Sequence, residues 1–142
     1  MSNLDLMLYR LAYRMATVDG ELSTNEATLL EVLGKSLGLD EADTAGLKQE
    51  AERIDYTMLR QLFPERAQQL RLFETACLVA MADGRSDIQE WSLATKLTDA
   101  LALDREEAQA CLGAARQRLK DLAAEHDLGA EIRDNLKKQG IG

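Results

Sequence analysis

The chain has 142 residues, of which 25 are acidic and 17 basic, giving a formal net charge of −8 at pH 7. This length suffices for one domain that buries its own core without a metal or disulfide staple. The acidic balance disfavours binding to nucleic-acid phosphates, which needs a basic surface. No apolar run approaches the roughly 20 residues of a membrane-spanning helix, and no signal-peptide pattern opens the chain. We therefore expect a soluble, cytoplasmic protein with no nucleic-acid partner and no membrane insertion.

Helix-favouring residues dominate the sequence and recur with helical periodicity. The chain contains one proline and few aromatic residues, and it is rich in Ala, Leu, Glu, Gln and Arg. These residues have high helix propensity, and the apolar positions follow a period near 3.6. The sequence predicts an all-α fold, a single bundle of about seven or eight helices without a sheet.

The first half of the chain predicts three helices. The apolar stripe of the first helix ends near Asp19, and Gly20 suits the left-handed position after a helix end. Residues 23–26 form a capping-box sequence that begins the second helix. Asp40 then caps a third helix, predicted to extend to about Arg53. The stripe residues of the first two helices are Leu4, Leu8, Leu11, Met15 and Val18, followed by Leu29, Leu30, Leu33 and Leu37.

The second half predicts the same series of elements after a short connecting helix. That connection covers residues 57–62, and Pro64 suits the first turn of the long helix that follows. The long helix is predicted to end at residues 83–84, an Asp-Gly pair, and a second cap sequence begins the next helix. Asp104 caps the last helix of this series, which we expect to extend to about Ala124.

An internal repeat accounts for this similarity. Residues 6–40 align with residues 70–104 at an offset of 64 without a gap, and twelve of the 35 aligned positions are identical. We define repeat one as residues 4–53 and repeat two as residues 65–124, followed by a tail, residues 125–142. Neither helix pair alone can bury its apolar stripe, so we predict one bundle with approximate internal two-fold symmetry.

Each repeat retains an aspartate and a glutamate that a duplicated core does not by itself explain. Asp19 and Asp83 end stripes of small residues, whereas Glu26 and Glu90 share the inward face of the next helix with its apolar residues. In a symmetric bundle the four carboxylates would meet at one end, where like charges are costly without a cation. A divalent ion would offset that cost, and an all-oxygen ligand set favours Ca²⁺, Mg²⁺ or Mn²⁺ over Zn²⁺.

Each of these acids also has a purely structural interpretation. Glu26 and Glu90 stand at the third position of capping boxes, where a glutamate stabilises a helix start without a metal. An aspartate before a glycine is ordinary turn chemistry. The recurrence of the pair at one spacing favours the metal site, because neighbouring positions such as 21 and 85 have changed charge. Both interpretations are kept as hypotheses.

Residues 19–26 match the second half of an EF-hand loop, but the match does not predict an EF-hand. The first and third positions of that loop must supply oxygen ligands. Here they are Met15 and Thr17 in one copy, and Val79 and Met81 in the other. Three of the four cannot offer a hard oxygen ligand, so we reject a conventional EF-hand.

No residue pattern typical of an enzyme is present. His126, the only histidine, stands in the tail, and no base accompanies a candidate nucleophile. The chain also lacks a glycine-rich phosphate loop, so we predict no catalytic residues and no organic cofactor. Cys77 and Cys111 fit apolar helical stripes, which indicates core residues in a reducing compartment without a disulfide. Residues 131–138 predict a weakly amphipathic helix.

A tryptophan and two arginine pairs complete the candidate residues. Trp91 stands next to Glu90 and is interpreted either as an anchor for a partner or as packing at a helix start. The pairs Arg10/Arg14 and Arg60/Arg66 predict ordinary surface ion pairs or counterions for the acids.

The repeated motif AxxxAxxDGxxxxxE at residues 12–26 and 76–90 resembles the TerB-like family. This family is named for bacterial tellurite-resistance proteins and also occurs beside J-domains in some membrane-anchored co-chaperones. The resemblance covers residues 6 to about 122. It implies a small all-helical protein whose acidic residues are candidates for metal binding and which acts through protein contacts in tellurite or envelope stress, without catalysis. The chain has no J-domain motif or membrane anchor, so the resemblance does not extend to a co-chaperone role.

Two functional hypotheses follow. In the first, the protein binds a divalent cation through Asp19, Glu26, Asp83 and Glu90. In the second, the same acids cap helices, and an exposed helix face binds a partner protein, through which the chain could associate peripherally with a membrane.

Overall fold

Helix is the regular secondary structure in the part of the chain that the structure describes. The structure, a computed structural model, describes residues 2–18, 22, 24–82 and 88–125, without the side chains of residues 25 and 88–91. This confirms the all-α prediction. The helices are α1 (Asn3–Thr17), α2 (Thr24–Ser36), α3 (Glu41–Glu50), α4 (Leu59–Leu62), α5 (Arg66–Ala82), α6 (Ile88–Ala100) and α7 (Arg105–Glu125), with 3-10 turns at Ala51–Arg53 and Tyr56–Met58.

The first helix follows the predicted apolar stripe. Ser2 caps α1, since its hydroxyl accepts a hydrogen bond from the Asp5 amide at 3.1 Å. The central stripe residues Leu8, Leu11 and Met15 are buried. The two residues at the ends of the stripe, Leu4 and Val18, are partly buried. The predicted turn that follows, at residues 19–20, lies outside the described residues.

The helix bounds of the two repeats coincide along much of their length. α2 and α6 cover residues 24–36 and 88–100, and α3 and α7 begin at residues 41 and 105, so each pair is separated by the sequence offset of 64. Asp40 and Asp104 both act as the predicted caps: each accepts a hydrogen bond from the amide three residues later, at 2.8 Å in both cases. The spatial two-fold relation between the repeats stays a prediction.

α5 is the central helix of the bundle. It packs against α1, α2, α6 and α7. From Leu72 to Ala82, every residue except Glu74 is buried, as expected of a helix that is apolar on all sides. The buried polar side chains of this helix are satisfied internally: Thr75 donates to the Arg71 carbonyl at 3.0 Å, and Gln69 donates to the Phe63 carbonyl at 2.9 Å.

The start of α5 differs from the prediction. Pro64 lies two residues before the helix and not in its first turn. The Glu65 carbonyl accepts from the amides of residues 68 and 69, at 3.1 and 3.2 Å, and so begins the helical hydrogen bonding. Phe63, with φ −129° and ψ 80°, lies outside the helical region, which a following proline disfavours for the residue before it. The proline therefore separates α4 from α5. α3 is also shorter than predicted, because Glu50 is followed by a 3-10 turn.

Across these described ranges, no helix combines the length and the apolar content that crossing a lipid bilayer requires.

Candidate functional site

Glu26 is the predicted ligand whose side chain the structure describes. It is the third residue of α2 and only 2% exposed, the one charged side chain that is buried among the described residues. Leu29, Leu30 and Leu33, one and two turns further along α2, are buried as well. The inward orientation expected from the leucine spacing is thus observed for Glu26.

The burial of this carboxylate has a physical cost. A charged group removed from water is retained only where charge or hydrogen bonding compensates for the lost hydration. The first turn of α2 provides part of this compensation, since the positive end of the helix dipole favours a nearby carboxylate. Glu26 thus places a carboxyl group at a buried helix start, which is the setting that the cation hypothesis requires.

The other three predicted ligands are not positioned by the described residues. Asp19 and Asp83 lie outside them. Glu90 is the third residue of α6, the same step that Glu26 occupies in α2, but its side chain is not among those described. Within the described residues, no group of three or more His, Cys, Asp or Glu side chains is arranged to hold a metal ion. The meeting of the four carboxylates stays a prediction, as does the location of Asp19 and Asp83 at one end of the bundle.

Arg66 has a larger role than the surface ion pair that the sequence predicted. Its guanidinium forms a bidentate pair with Glu107, with Nε donating to Oε2 at 2.6 Å. Nη1 and Nη2 also donate to the carbonyls of Leu101 and Ala102, at 2.8 and 2.9 Å. Hydrogen bonds from Arg66 hold the pKa of the Glu107 carboxyl below its usual range. The residue therefore links the start of α5 to the junction between α6 and α7. A sequence signal for this role of Arg66 was the alanine at position 102. The corresponding residue of repeat one is Gly38, and an alanine in that conformation needs support from another contact.

Arg10 acts similarly at the end of α3. Its Nη2 donates to the Glu50 carbonyl at 3.0 Å, and Nε lies 3.9 Å from a carboxylate oxygen of the same residue. A cation at a helix C-terminus satisfies carbonyls that have no partner within the helix. The arginine pairs of the sequence thus include two residues that hold helix ends.

A second carboxylate network joins α5 to α7. One oxygen of Glu74 accepts from Arg118 at 2.6 Å and from Arg71 at 3.0 Å. Burial lowers the pKa of Arg71 from its ordinary value, with the nearby Arg118 acting in the same direction. The network borders an open groove of about 400 Å³ that includes the end of α2. Sequence reasoning missed this contact, since the two helices meet only in three dimensions.

The two cysteines are free and buried, as expected for core residues. Burial raises the pKa of Cys77 to about 12 and that of Cys111 to about 11. The Cys111 thiol donates weakly to the Leu70 carbonyl at 3.6 Å. Because the thiolate is the reactive form, neither residue is an activated nucleophile at neutral pH.

Comparison with known proteins gives one family match. A family model described as tellurite resistance protein TerB matches residues 6–112, which include both copies of the repeated motif. No curated protein and no solved structure matches the chain.

Proposed function

The chain belongs to the TerB family, and on that premise we propose that it is a non-catalytic protein that binds a divalent cation in the response to tellurite or envelope stress. Asp19, Glu26, Asp83 and Glu90 supply the ligands, and backbone carbonyls or water complete the coordination. Ca²⁺, Mg²⁺ and Mn²⁺ suit this oxygen set better than Zn²⁺. The proposal includes no organic cofactor, a cytoplasmic location and a protein partner.

The burial of Glu26 is the observation that carries this proposal. The Glu26 side chain, 2% exposed at the start of α2, places a hard oxygen ligand of the kind that Ca²⁺, Mg²⁺ and Mn²⁺ prefer in the interior of the bundle. The repeat adds support, because Glu90 is the third residue of α6, as Glu26 is the third residue of α2. Both glutamates are followed along the helix by buried apolar residues, Leu29 after the first and Leu93 after the second.

Thermal unfolding of chelator-stripped protein with Ca²⁺, Mg²⁺, Mn²⁺ or Zn²⁺ tests the proposal. An ion that binds only the folded state stabilises it by about 2.7 kcal/mol at one hundred times its Kd. For a domain of this size the melting temperature should rise by roughly 5 to 10 °C. We expect the harder ions to give the larger shifts.

Variants identify the ligands. Asp19→Asn combined with Asp83→Asn should abolish the shift and leave the helical content unchanged, because neither residue belongs to a capping box. The matched control is Glu31→Gln on α2, whose side chain is 69% exposed and which should respond to the ion as the wild type does. If no ion raises the melting temperature, or if the double variant still responds, the acids are structural.

The second candidate function is a protein-interaction module in which the acids only cap helices. It is favoured by a hollow between α2 and α3, which is bordered by an exposed apolar side chain, Leu22. This candidate takes precedence if the cation proposal fails.

A further inference from the structure

The sulfur-containing side chains of the described residues differ in their access to solvent. Five of them are buried, each at most 7% exposed, and they belong to Met7, Met15, Cys77, Met81 and Cys111. The sixth, Met58, is 40% exposed. Within the part of the chain that the structure describes, Met58 is therefore the sulfur-containing residue that a dissolved reagent meets in the folded state.

The backbone around Met58 holds its side chain at the surface. Met58 is the last residue of the 3-10 turn Tyr56–Met58, and its amide donates to the Asp55 carbonyl at 3.1 Å. The next residue, Leu59, is completely buried and anchors this turn to the core. The exposure of Met58 thus belongs to the folded protein and requires no local opening.

The buried methionines lie in the hydrophobic core, Met7 and Met15 on α1 and Met81 on the central helix α5. A reagent in solution reaches them when these helices separate. For a stable domain such open states account for about a thousandth of the molecules or less. Reaction at these three thioethers should therefore be much slower than reaction at Met58.

The two thiols do not compete with Met58 at neutral pH. Oxidation of cysteine proceeds through the thiolate, and burial raises the pKa of Cys77 to about 12 and that of Cys111 to about 11. A thioether has no proton to lose, so its reaction depends mainly on access.

We propose that Met58 is an oxidative modification site, at which a peroxide converts the thioether to the sulfoxide in the folded protein. A lone pair of Sδ attacks one oxygen of hydrogen peroxide, an S–O bond forms and the O–O bond breaks. Sulfur loses two electrons to the peroxide, whose second oxygen leaves as hydroxide and is protonated to water. Reductases that act on methionine sulfoxide reverse the modification. The inference does not depend on the cation.

The modification changes the surface of the connecting segment and leaves the core intact. Met58 is not part of the hydrophobic core. Leu62, four residues further along, is 57% exposed, so two large apolar side chains are exposed on this segment. A sulfoxide oxygen makes one of the two polar and so reduces the apolar surface of the segment.

The rate of oxidation of each methionine tests the proposal. The full chain is treated with hydrogen peroxide at pH 7, quenched at intervals and digested with trypsin, which places Met15, Met58 and Met81 on separate peptides. Fragment-ion spectra distinguish Met7 from Met1, which lies outside the described residues. We expect Met58 to be oxidised at least about tenfold faster than Met7, Met15 and Met81. In denaturing guanidinium chloride the four rates should become similar, because burial no longer separates them.

Variants in which leucine replaces methionine keep an apolar side chain of similar volume and remove the sulfur. Met58→Leu should lower the oxygen uptake of the described methionines at least about tenfold in the folded protein. The matched control, Met7→Leu, should leave the oxidation rate of Met58 unchanged. Oxidation of Met58 in the wild type should shift the melting temperature by less than about 2 °C, as expected of a surface change.

Four results would overturn the proposal. The first is a buried methionine that reacts as fast as Met58 in the folded protein. The second is a ranking of the four methionines that persists in guanidinium chloride, since local sequence and not burial would then decide the rates. The third is oxidation of Cys77 or Cys111 before Met58. The fourth is a large fall of the melting temperature on oxidation of Met58, which would show that its sulfur supports the core.

Discussion

The junction between α2 and α3 and the junction between α6 and α7 share one backbone structure but stabilise it differently. In the first, the amides of Gly38 and Leu39 donate to the carbonyls of residues 35 and 34, at 3.1 and 2.9 Å. In the second, Ala102 and Leu103 donate to residues 99 and 98, at 3.2 and 2.9 Å. The second residue after the helix has a positive φ in both, 77° at Gly38 and 52° at Ala102.

The difference lies in how that positive φ is tolerated. Glycine adopts it without steric cost, whereas alanine in the left-handed region costs about 1–2 kcal/mol. The second junction has an additional contact, because Arg66 donates to the carbonyls of the two residues that follow α6 and to Glu107 of α7. At the offset of 64, the residue that corresponds to Arg66 is Ser2, which lies before repeat one and caps α1 instead. A backbone turn can thus be maintained either by the preference of one residue or by a distant side chain.

Removing the arginine contact should have the largest effect. We expect Arg66→Gln to lower the free energy of unfolding by about 2 kcal/mol, since hydrogen bonds to charged groups contribute about 1.5–3 kcal/mol each and partial exposure weakens them. Chemical denaturation measures the change. Arg60→Gln, at an exposed position of α4, is the control and should stay within about 0.5 kcal/mol of wild type. Equal effects of the two variants would contradict the role assigned to Arg66.

Gly38→Ala should lower stability by about 1 kcal/mol. A Cβ at Gly38 meets nothing within 4 Å, so the loss comes from the backbone, whose φ of 77° lies beyond the left-handed minimum near 57°. The control is Gly46→Ala inside α3, also in open space, which should raise stability by up to about 1 kcal/mol through helix propensity. A loss of stability in Gly46→Ala as well would contradict the assignment of the Gly38→Ala effect to the backbone φ.

Ala102→Gly should have the smallest effect and the opposite sign. We expect a gain of about 0.5 kcal/mol, because relief of the strained φ exceeds the entropy that glycine adds to the unfolded chain, about 0.4–1 kcal/mol. The same denaturation experiment measures it. A loss of stability would mean that Arg66 and the surrounding contacts hold Ala102 without strain.

Local sequence patterns were sufficient to predict most helix starts and ends. Asp40 and Asp104 act as caps over three residues, and α2, α3 and α7 begin where the predicted cap signals place them. The start of α5 was misplaced, because a proline is acceptable both in the first helical turn and just before a helix. The difference between these two positions lies in which carbonyl accepts the first helical hydrogen bonds. Here it is the Glu65 carbonyl, and that bonding depends on the packing of α5.

Contacts between distant segments were less accessible from the sequence. Arg66 and Glu107, like Glu74 and Arg118, are separated by more than 40 residues and meet only after α5 and α7 pack. The inward orientation of Glu26 could be predicted because it follows from the leucine spacing on a single helix. Bringing Glu26 together with Asp19, Asp83 and Glu90 would require the relative placement of four chain segments, which a single-sequence pattern does not determine.

The central position of α5 also has a consequence for synthesis of the protein on the ribosome. α1 ends at Thr17, but α5, against which it packs, is complete only at Ala82. At about 5–20 residues per second, α5 is finished several seconds after α1. During that interval the apolar stripe of α1, including Leu8, Leu11 and Met15, lacks its main covering helix. The nascent first repeat is therefore a stage at which a chaperone that shields apolar surface would improve the yield of folded protein.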